Sequence, residues 1–324
     1  MNSTASPTVG ALIRRIAGRF VRARLYFGHG TETAEDEAAW LVGHVLKIAP
    51  DNLAGRLNKP APPAALKKIE TLAAVRVKTR RPLAYLLKEA WFAGQKFYVD
   101  ERVIVPRSLT GEFILEQFQP WIEGRRVRRI LDLCTGSGCM AIVCARAFPK
   151  AQVDAADISK EALAVARLNV TRHRLGRRVK LVHSDLFKSL QGRKYDAIVT
   201  NPPYVARAEM KTLPREYRHE PELALVSGRL GLDAIGRILA DAAQHLNPGG
   251  ILVGEVGNSA GALQKKFPSV PFMWLTTSTG DESVFLLTAE QLEKFRQNFA
   301  AEQPRRRNEK HTLAGKPRGG SVVL

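Results

Sequence analysis

Residues 199–206, VTNPPYVA, place an amide side chain directly before two prolines, at the end of a run of strand-forming residues. Pro202 disfavours the helical conformation at Asn201, and Pro203 does the same at Pro202, so the segment is extended and stiff. Neither proline has an N–H group, and the segment therefore offers hydrogen-bond acceptors almost exclusively.

Two rigid acceptors suit a planar amide or amine that is methylated on its nitrogen. The Asn201 side-chain oxygen and the Pro202 carbonyl oxygen would accept the two N–H groups and orient the nitrogen as positive charge develops. Tyr204 would stack on the planar group, and its ring face favours nearby positive charge. The segment therefore predicts Asn201, Pro202 and Tyr204 as catalytic residues, with an ordinary strand-terminating turn as the alternative.

A second motif, LDLCTGSGCMAI at residues 131–142, joins a predicted strand to a predicted helix. Gly136 and Gly138 let the backbone approach a ligand and let the helix begin without obstruction. No Lys follows these glycines, which disfavours a P-loop phosphate site. Asn201 follows Gly138 by 201 − 138 = 63 residues, at the end of the fourth predicted strand. Both motifs should therefore lie at the same carboxyl edge of a sheet, where ligands of open α/β folds bind.

Acidic residues at the strand ends indicate which ligand this edge would bind. Asp157 ends the second strand about 20 residues after the glycines, where a carboxylate can accept both ribose hydroxyls. Asp185 ends the third strand and would accept from an adenine amino group, with Leu186 and Phe187 against the ring. Asp132 would contact the amino-acid end of the ligand. Each acid alone is equally well explained as a cap or turn residue.

Together, the acids and the glycine turn predict a cationic nucleoside ligand such as S-adenosylmethionine. We predict the following cofactor-binding residues and no metal site: Asp132, Thr135, Gly136, Gly138, Asp157, Asp185, Leu186 and Asn201.

The elements that position these residues follow from hydrophobic periodicity. From about residue 106, strands and helices alternate, which predicts a mostly parallel sheet with helices on both faces. The last strands flank Thr279–Asp281, which makes the final one antiparallel, and Asn247–Gly250 should close the preceding helix. We predict four segments: a helical substrate-recognition domain (1–85), a β-hairpin linker (86–105), a methyltransferase domain (106–300) and a basic, disordered tail (301–324).

Composition restricts the partners and the compartment. The 324 residues are 45% hydrophobic and carry a formal net charge of +19, which indicates nucleic acid, a ribonucleoprotein or an anionic membrane surface as partner. No apolar run is long enough to span a bilayer. Three cysteines without a nearby His indicate neither a disulfide framework nor a zinc site and favour the cytoplasm. The Arg-rich N-terminus favours an amphipathic domain helix, with a transit peptide as the alternative.

Several stretches resemble the HemK-type protein N(5)-glutamine methyltransferases, and within them the PrmB branch, which methylates a glutamine of large-subunit ribosomal protein L three. The resemblance spans about residues 9–290, and its most specific parts are the hairpin region and EYRHEPELAL. It implies a Rossmann-like, seven-stranded S-adenosylmethionine-dependent methyltransferase fold behind a small helical domain. It also implies that Asn201 and Pro202 bind the glutamine amide and that Tyr204 lines the pocket. Glu255 falls in the E-x-G position of the pattern, and we predict for it a structural or pocket-wall role. The basic tail lies outside the resemblance.

Three alternatives remain at this point. The sister branch methylates the Gly-Gly-Gln glutamine of release factors with the same chemistry. A DNA or RNA adenine amino-methyltransferase would use Asn201, Pro202, Pro203 and Tyr204 to hold an adenine amino group. A ribosome-assembly or RNA-binding protein would need no methyltransferase activity. Because a basic enzyme should repel a basic ribosomal protein, we hypothesise docking on an assembling particle through ribosomal RNA, with binding that weakens steeply with salt.

Overall fold

The structure, a computed structural model, describes residues 6–301. Apart from Ala301, the predicted tail lies outside the described residues. Thr8 and Thr33 begin the first two helices, because their hydroxyls accept from backbone N–H groups of the first turn. The first five helices of the described chain are α1 (Val9–Arg22), α2 (Ala34–Leu46), α3 (Pro50–Leu53), α4 (Pro63–Thr79) and α5 (Leu83–Leu87).

Helices α1, α2 and α4 pack around a small core of their own. Leu12, Ile16 and Phe20 recur at helical spacing on α1 and are buried against Leu41 of α2 and Ile69 of α4. This periodicity predicted the helical character of the N-terminal segment, which the structure confirms. None of the helices within residues 6–301 combines the length and apolarity needed to cross a membrane.

A hairpin follows, as the sequence predicted. Its strands, β1 (Ala90–Phe92) and β2 (Gln95–Phe97), pair antiparallel around Ala93 and Gly94, whose φ angles are 47° and 71°. Positive φ at both turn positions gives the turn the twist that a two-residue hairpin requires.

The described residues form a seven-stranded sheet in the order β5-β4-β3-β6-β7-β9-β8. Strands β3 to β7 run parallel, and β9 runs antiparallel to both of its neighbours, as predicted for the end of the sheet. The strands are β3 (Arg129–Leu133), β4 (Gln152–Asp157), β5 (Val179–His183), β6 (Tyr195–Thr200), β7 (Leu246–Glu255), β8 (Met273–Leu275) and β9 (Val284–Thr288).

Helices cover both faces of this sheet. One face packs on α6 and α7 and buries Cys139 and Cys144 as small apolar side chains, while the other packs on α9 and α10. The sheet order reverses between β3 and β6, and this switch point is where open α/β folds bind ligands. The helices are α6 (Thr110–Leu115), α7 (Cys139–Ala147), α8 (Lys160–Arg172), α9 (Asp233–Ala242), α10 (Ala260–Lys266), α11 (Ala289–Lys294) and α12 (Arg296–Ala301).

One predicted boundary was wrong. Residues Asn247–Gly250 do not close a helix, because α9 ends at Ala242 and β7 already begins at Leu246. Tyr195 of β6 pairs with Leu246, and a register shift lets β7 continue through the Pro-Gly-Gly segment. A bulge tolerates a proline and glycines that would otherwise end a strand.

Candidate active site at the carboxyl edge of the sheet

The glycine turn leaves β3 and enters α7 with three residues in the left-handed region, Cys134, Gly136 and Gly138. Gly136 has φ 53° and Gly138 has φ 79°, and a Cβ atom added to Gly138 would lie 3.1 Å from Ala166 Cβ. Gly138 therefore permits α7 and α8 to pack closely, whereas Gly136 faces the ligand side. Asn169 of α8 holds the turn from behind, since its side-chain amide donates to Ser137 O at 2.8 Å.

Asp132 lies fully buried beneath this turn. One of its oxygens accepts from the Thr135 hydroxyl at 2.5 Å and from the Ala141 N–H at 2.9 Å. Burial raises its pKa to about 7, against the effect of these two hydrogen bonds. Its second oxygen has no partner among the described residues. The structure thus shows Asp132 and Thr135 fixing the turn and the start of α7, without placing either in the cavity wall.

A cavity opens beyond the carboxyl ends of β3 to β6. Together with the open space at its mouth it encloses about 930 Å³. It brings together five of the predicted residues, while Asp132, Thr135 and Gly138 lie behind its wall. The five residues are Gly136, Asp157, Asp185, Leu186 and Asn201.

Asp157 is the carboxylate held most firmly in this cavity. It accepts from the Gly136 N–H and from the Ser159 N–H, each at 2.8 Å. Burial raises its pKa, although these N–H groups act in the opposite direction. A carboxylate has about four lone-pair sites, so Asp157 keeps acceptor capacity for two ligand hydroxyls.

Arg237, which the sequence reasoning missed, pairs with Asp185. One guanidinium nitrogen lies 2.8 Å from each carboxylate oxygen, and both residues line the cavity. The cavity is therefore less anionic than three free carboxylates would make it. Phe187, predicted to lie against an adenine ring, instead stacks on His245 in the core with ring centroids 4.4 Å apart.

A second cavity adjoins the first at Ile104, Asn201 and Ala224, which line both. It encloses about 650 Å³ and is lined by Asn201, Pro202 and Tyr204 together with Arg107 and Tyr217. Asn201 lines both cavities, whereas Asp157 lines only the first and Pro202 only the second. The structure therefore brings the three predicted catalytic residues together, with Asn201 where the two cavities meet.

Tyr204 is fixed on several sides. Its carbonyl accepts from the Ser259 hydroxyl at 2.8 Å, and its hydroxyl donates to Glu255 at 3.4 Å. Burial raises the pKa of Glu255, which also accepts from the Ser108 hydroxyl at 2.6 Å. A Cβ atom on Gly257 would meet the Tyr204 ring at 2.5 Å, so this glycine makes room for the ring. Glu255 thus links Tyr204 to Ser108.

The EYRHEP segment (residues 216–221) closes the second cavity through a buried ion pair. Two nitrogens of Arg107 each donate to Glu220 at 2.7 Å, and the Val105 N–H donates at 2.9 Å. Burial alone would raise the pKa of Glu220, but Arg107 and His29 outweigh it and lower the pKa to about 2. The guanidinium of Arg107 also lies 5.3 Å from the Tyr217 ring centroid, which fixes that ring in the cavity wall.

Two known protein families match separate parts of the chain, one in the sheet domain and one in the N-terminal helices. Residues 110–216 match the family described as the methyltransferase small domain, and residues 22–87 match the PrmC N-terminal domain. The chain is 48% identical over 286 residues to a ribosomal protein uL3 glutamine methyltransferase of Neisseria meningitidis, covering 88% of this chain and 94% of that protein.

The chain belongs to the ribosomal protein uL3 glutamine methyltransferase family. The family member of Burkholderia pseudomallei is 44% identical over 301 residues, covering 89% of this chain and 98% of its own. That of Francisella tularensis is 43% identical over 293 residues, with coverage of 90% and 93%. The family that the sequence resembled is confirmed, and the protein is a methyltransferase.

The first cavity of this uL3 glutamine methyltransferase family member fits S-adenosylmethionine, the predicted methyl donor. Asp157 offers acceptors for ribose hydroxyls, and the apolar lining by Ala156, Ile158 and Leu186 suits the nucleoside. The carboxylates suit a cationic sulfonium better than a pyrophosphate. Donor binding would therefore involve Gly136, Asp157 and Leu186. Asp185 would take part while its carboxylate stays paired with Arg237.

Proposed function

We propose that this protein transfers a methyl group from S-adenosylmethionine to the side-chain amide nitrogen of a glutamine in uL3, the large-subunit protein L three. The position of Asn201 at the junction of the two cavities carries the proposal. An amide acceptor at this junction would contact both a donor in the first cavity and a substrate side chain in the second. The names of the relatives support uL3 as the substrate.

The residues of the second cavity would prepare a poor nucleophile. An amide nitrogen reacts slowly because its lone pair is delocalised into the carbonyl group. The Asn201 side-chain oxygen and the Pro202 carbonyl would accept its two N–H groups and stabilise the positive charge that develops on it. S-Adenosylmethionine, when bound, supplies an electrophilic methyl group. The nitrogen would gain that methyl group as the carbon–sulfur bond of the donor breaks, and would then release one proton to water, so no strong base has to act before the transfer.

The setting of the reaction is part of the proposal. The formal net charge of +19 favours a substrate presented by an assembling particle, where ribosomal RNA attracts a basic enzyme. A ribosomal substrate and free cysteine thiols support the cytoplasm as the compartment.

A parallel assay tests the substrate. The protein is incubated with radiolabelled S-adenosylmethionine and, separately, with uL3, a release factor and an adenine-containing oligonucleotide. We expect label in uL3 at a glutamine. Label in the release factor alone would assign the sister activity, and label in the oligonucleotide alone would contradict glutamine methylation.

Asp157→Ala should weaken donor binding. Loss of hydrogen bonds to a charged acceptor costs about 1.5–3 kcal/mol, so the dissociation constant for S-adenosylmethionine should rise roughly 10- to 100-fold. Calorimetric titration without a protein substrate measures this. Glu161→Ala, which removes an exposed acid in the first turn of α8, is the matched control and should bind as the parent does. Equal binding by both variants would remove Asp157 from the donor site.

A further inference from the structure

The amino edge of the sheet, opposite the active site, carries a concentration of positive charge. Strands β3 to β6 each begin there, and the segments 123–129, 149–152, 174–178 and 192–196 lead into them or include their first residues. These four segments contain ten basic and two acidic side chains. The chain thus has ten minus two, or +8, of its net +19 at one edge of the fold. We call these four segments the amino-edge surface.

Backbone pairing shows that the segments lie side by side. The Gln152 N–H donates to Arg128 O, and the Val153 N–H donates to Arg178 O, each at 2.8 Å. Neighbouring strands lie about 4.8 Å apart, so four of them make a row about 14 Å wide. A row of this width meets several phosphates of a duplex, because each strand has one per ~3.4 Å of axis.

Much of this charge is not neutralised within the protein. Arg129 and Arg193 share Asp154, and Arg126 pairs with Glu123. By contrast Arg125, Lys150 and Arg177 are exposed, and their side chains have no ion pair or hydrogen bond among residues 6–301. Arg125 precedes β3, Lys150 precedes β4 and Arg177 precedes β5.

We propose that the amino-edge surface binds RNA through its backbone phosphates. Charge alone would also suit an anionic membrane, but membrane-surface segments insert apolar side chains. The large apolar side chains that are exposed within the described chain all lie outside these four segments. The choice of RNA among polyanions rests on the proposed function, because a ribosomal substrate is found beside RNA. The surface itself needs neither the cofactor nor the substrate.

The position of the surface separates this binding from catalysis. Five residues of strand span about 17 Å, so RNA at the amino edge leaves both cavities at the carboxyl edge open. We therefore expect bound RNA to leave the affinity for S-adenosylmethionine unchanged.

The test compares two triple variants of the full chain, each with three fewer positive charges. One neutralises the amino-edge surface: Arg125→Gln, Lys150→Gln and Arg177→Gln. The other removes three exposed lysines outside it: Lys67→Gln, Lys68→Gln and Lys265→Gln. Affinity for a short fluorescent RNA hairpin is measured by anisotropy at several salt concentrations, without cofactor or uL3.

We expect the amino-edge variant to bind the hairpin at least about tenfold more weakly at low salt, and its slope of log K against log salt to fall by about two to three. The control variant should change far less. Equal losses in both variants, or no loss in the amino-edge variant, would overturn the proposal. So would tighter, amino-edge-dependent binding to vesicles of phosphatidylcholine and phosphatidylserine than to RNA.

Titration with S-adenosylmethionine shows that both variants are folded. Failure of methyl transfer to uL3 would leave the RNA result untouched, so the two proposals fail separately.

Discussion

Asn201→Ala should lower the turnover of methyl transfer by roughly 100-fold or more, the scale of losing one preorganised polar contact in a transition state. The alanine leaves the prolines and Tyr204 in place but removes the acceptor where the two cavities meet. Single-turnover methylation of uL3 at saturating cofactor measures the chemical step. Because Asp157 is untouched, the dissociation constant for S-adenosylmethionine should change much less than turnover does.

Asn201→Asp separates an acceptor role from simple space filling. The aspartate keeps an oxygen at nearly the same position and replaces the amide NH₂ with a second acceptor. We expect it to lose less turnover than Asn201→Ala. Equal loss in the two variants would contradict the acceptor mechanism, and full turnover in Asn201→Ala would remove Asn201 from catalysis.

Local patterns in the sequence predicted the parts of the site that the chain builds from neighbouring residues. The stiffness of Asn201–Pro203 and the positive φ of Gly136 depend on residue types within one turn, so both were accessible. The same local reasoning could not tell which side of the turn Asp132 faces. A buried carboxylate under the turn and one in the cavity wall have the same sequence signature.

The pairs that complete the site were not predictable, because each joins residues far apart in the chain. Arg237 is 52 residues from Asp185, and Arg107 is 113 residues from Glu220. Nothing in the spacing of a single sequence marks which of many arginines will meet which acid. The first contact depends on how α9 packs beside the end of β5, and the second on how the segment before α6 meets residues 216–221, so both are properties of the whole fold.

Arg76→Leu should be the most destabilising of the substitutions considered, at about 3–5 kcal/mol, the usual cost of leaving a buried charge without its partner. Arg76 is 0% exposed and donates to Glu37 at 2.7 Å, to Glu216 at 3.4 Å and to Tyr26 O at 2.9 Å. Leucine would leave the buried Glu37 carboxylate without its guanidinium partner, whereas Glu216 would keep its ion pair with Arg80 at 3.2 Å. Urea unfolding measures the loss, which is a large share of a typical stability of about 5–15 kcal/mol.

Arg15→Leu provides a matched control with the same change of side chain. Arg15 also pairs with an acid, Glu70 at 2.6 Å, but the two side chains are 54% and 40% exposed. Exposed pairs contribute about 0–1 kcal/mol, so this variant should unfold nearly as the parent does. Comparable losses in the free energy of unfolding in the two variants would show that the burial of Arg76 does not increase the cost of removing its side chain.

The pH dependence identifies the cause of the Arg76→Leu effect. Burial already raises the pKa of Glu37 in the folded parent, and Arg76 acts against that rise. Without Arg76 the folded pKa of Glu37 should rise further above its unfolded value. A group with a raised folded pKa favours the folded state at low pH and loses that contribution as pH increases through the folded pKa. The deficit relative to the parent should therefore shrink as the pH is lowered toward the folded pKa of Glu37 in the parent and grow as it is raised toward the higher folded pKa in the variant. A deficit that is constant with pH would instead assign the loss to packing, because the removal of a well-packed side chain does not depend on protonation.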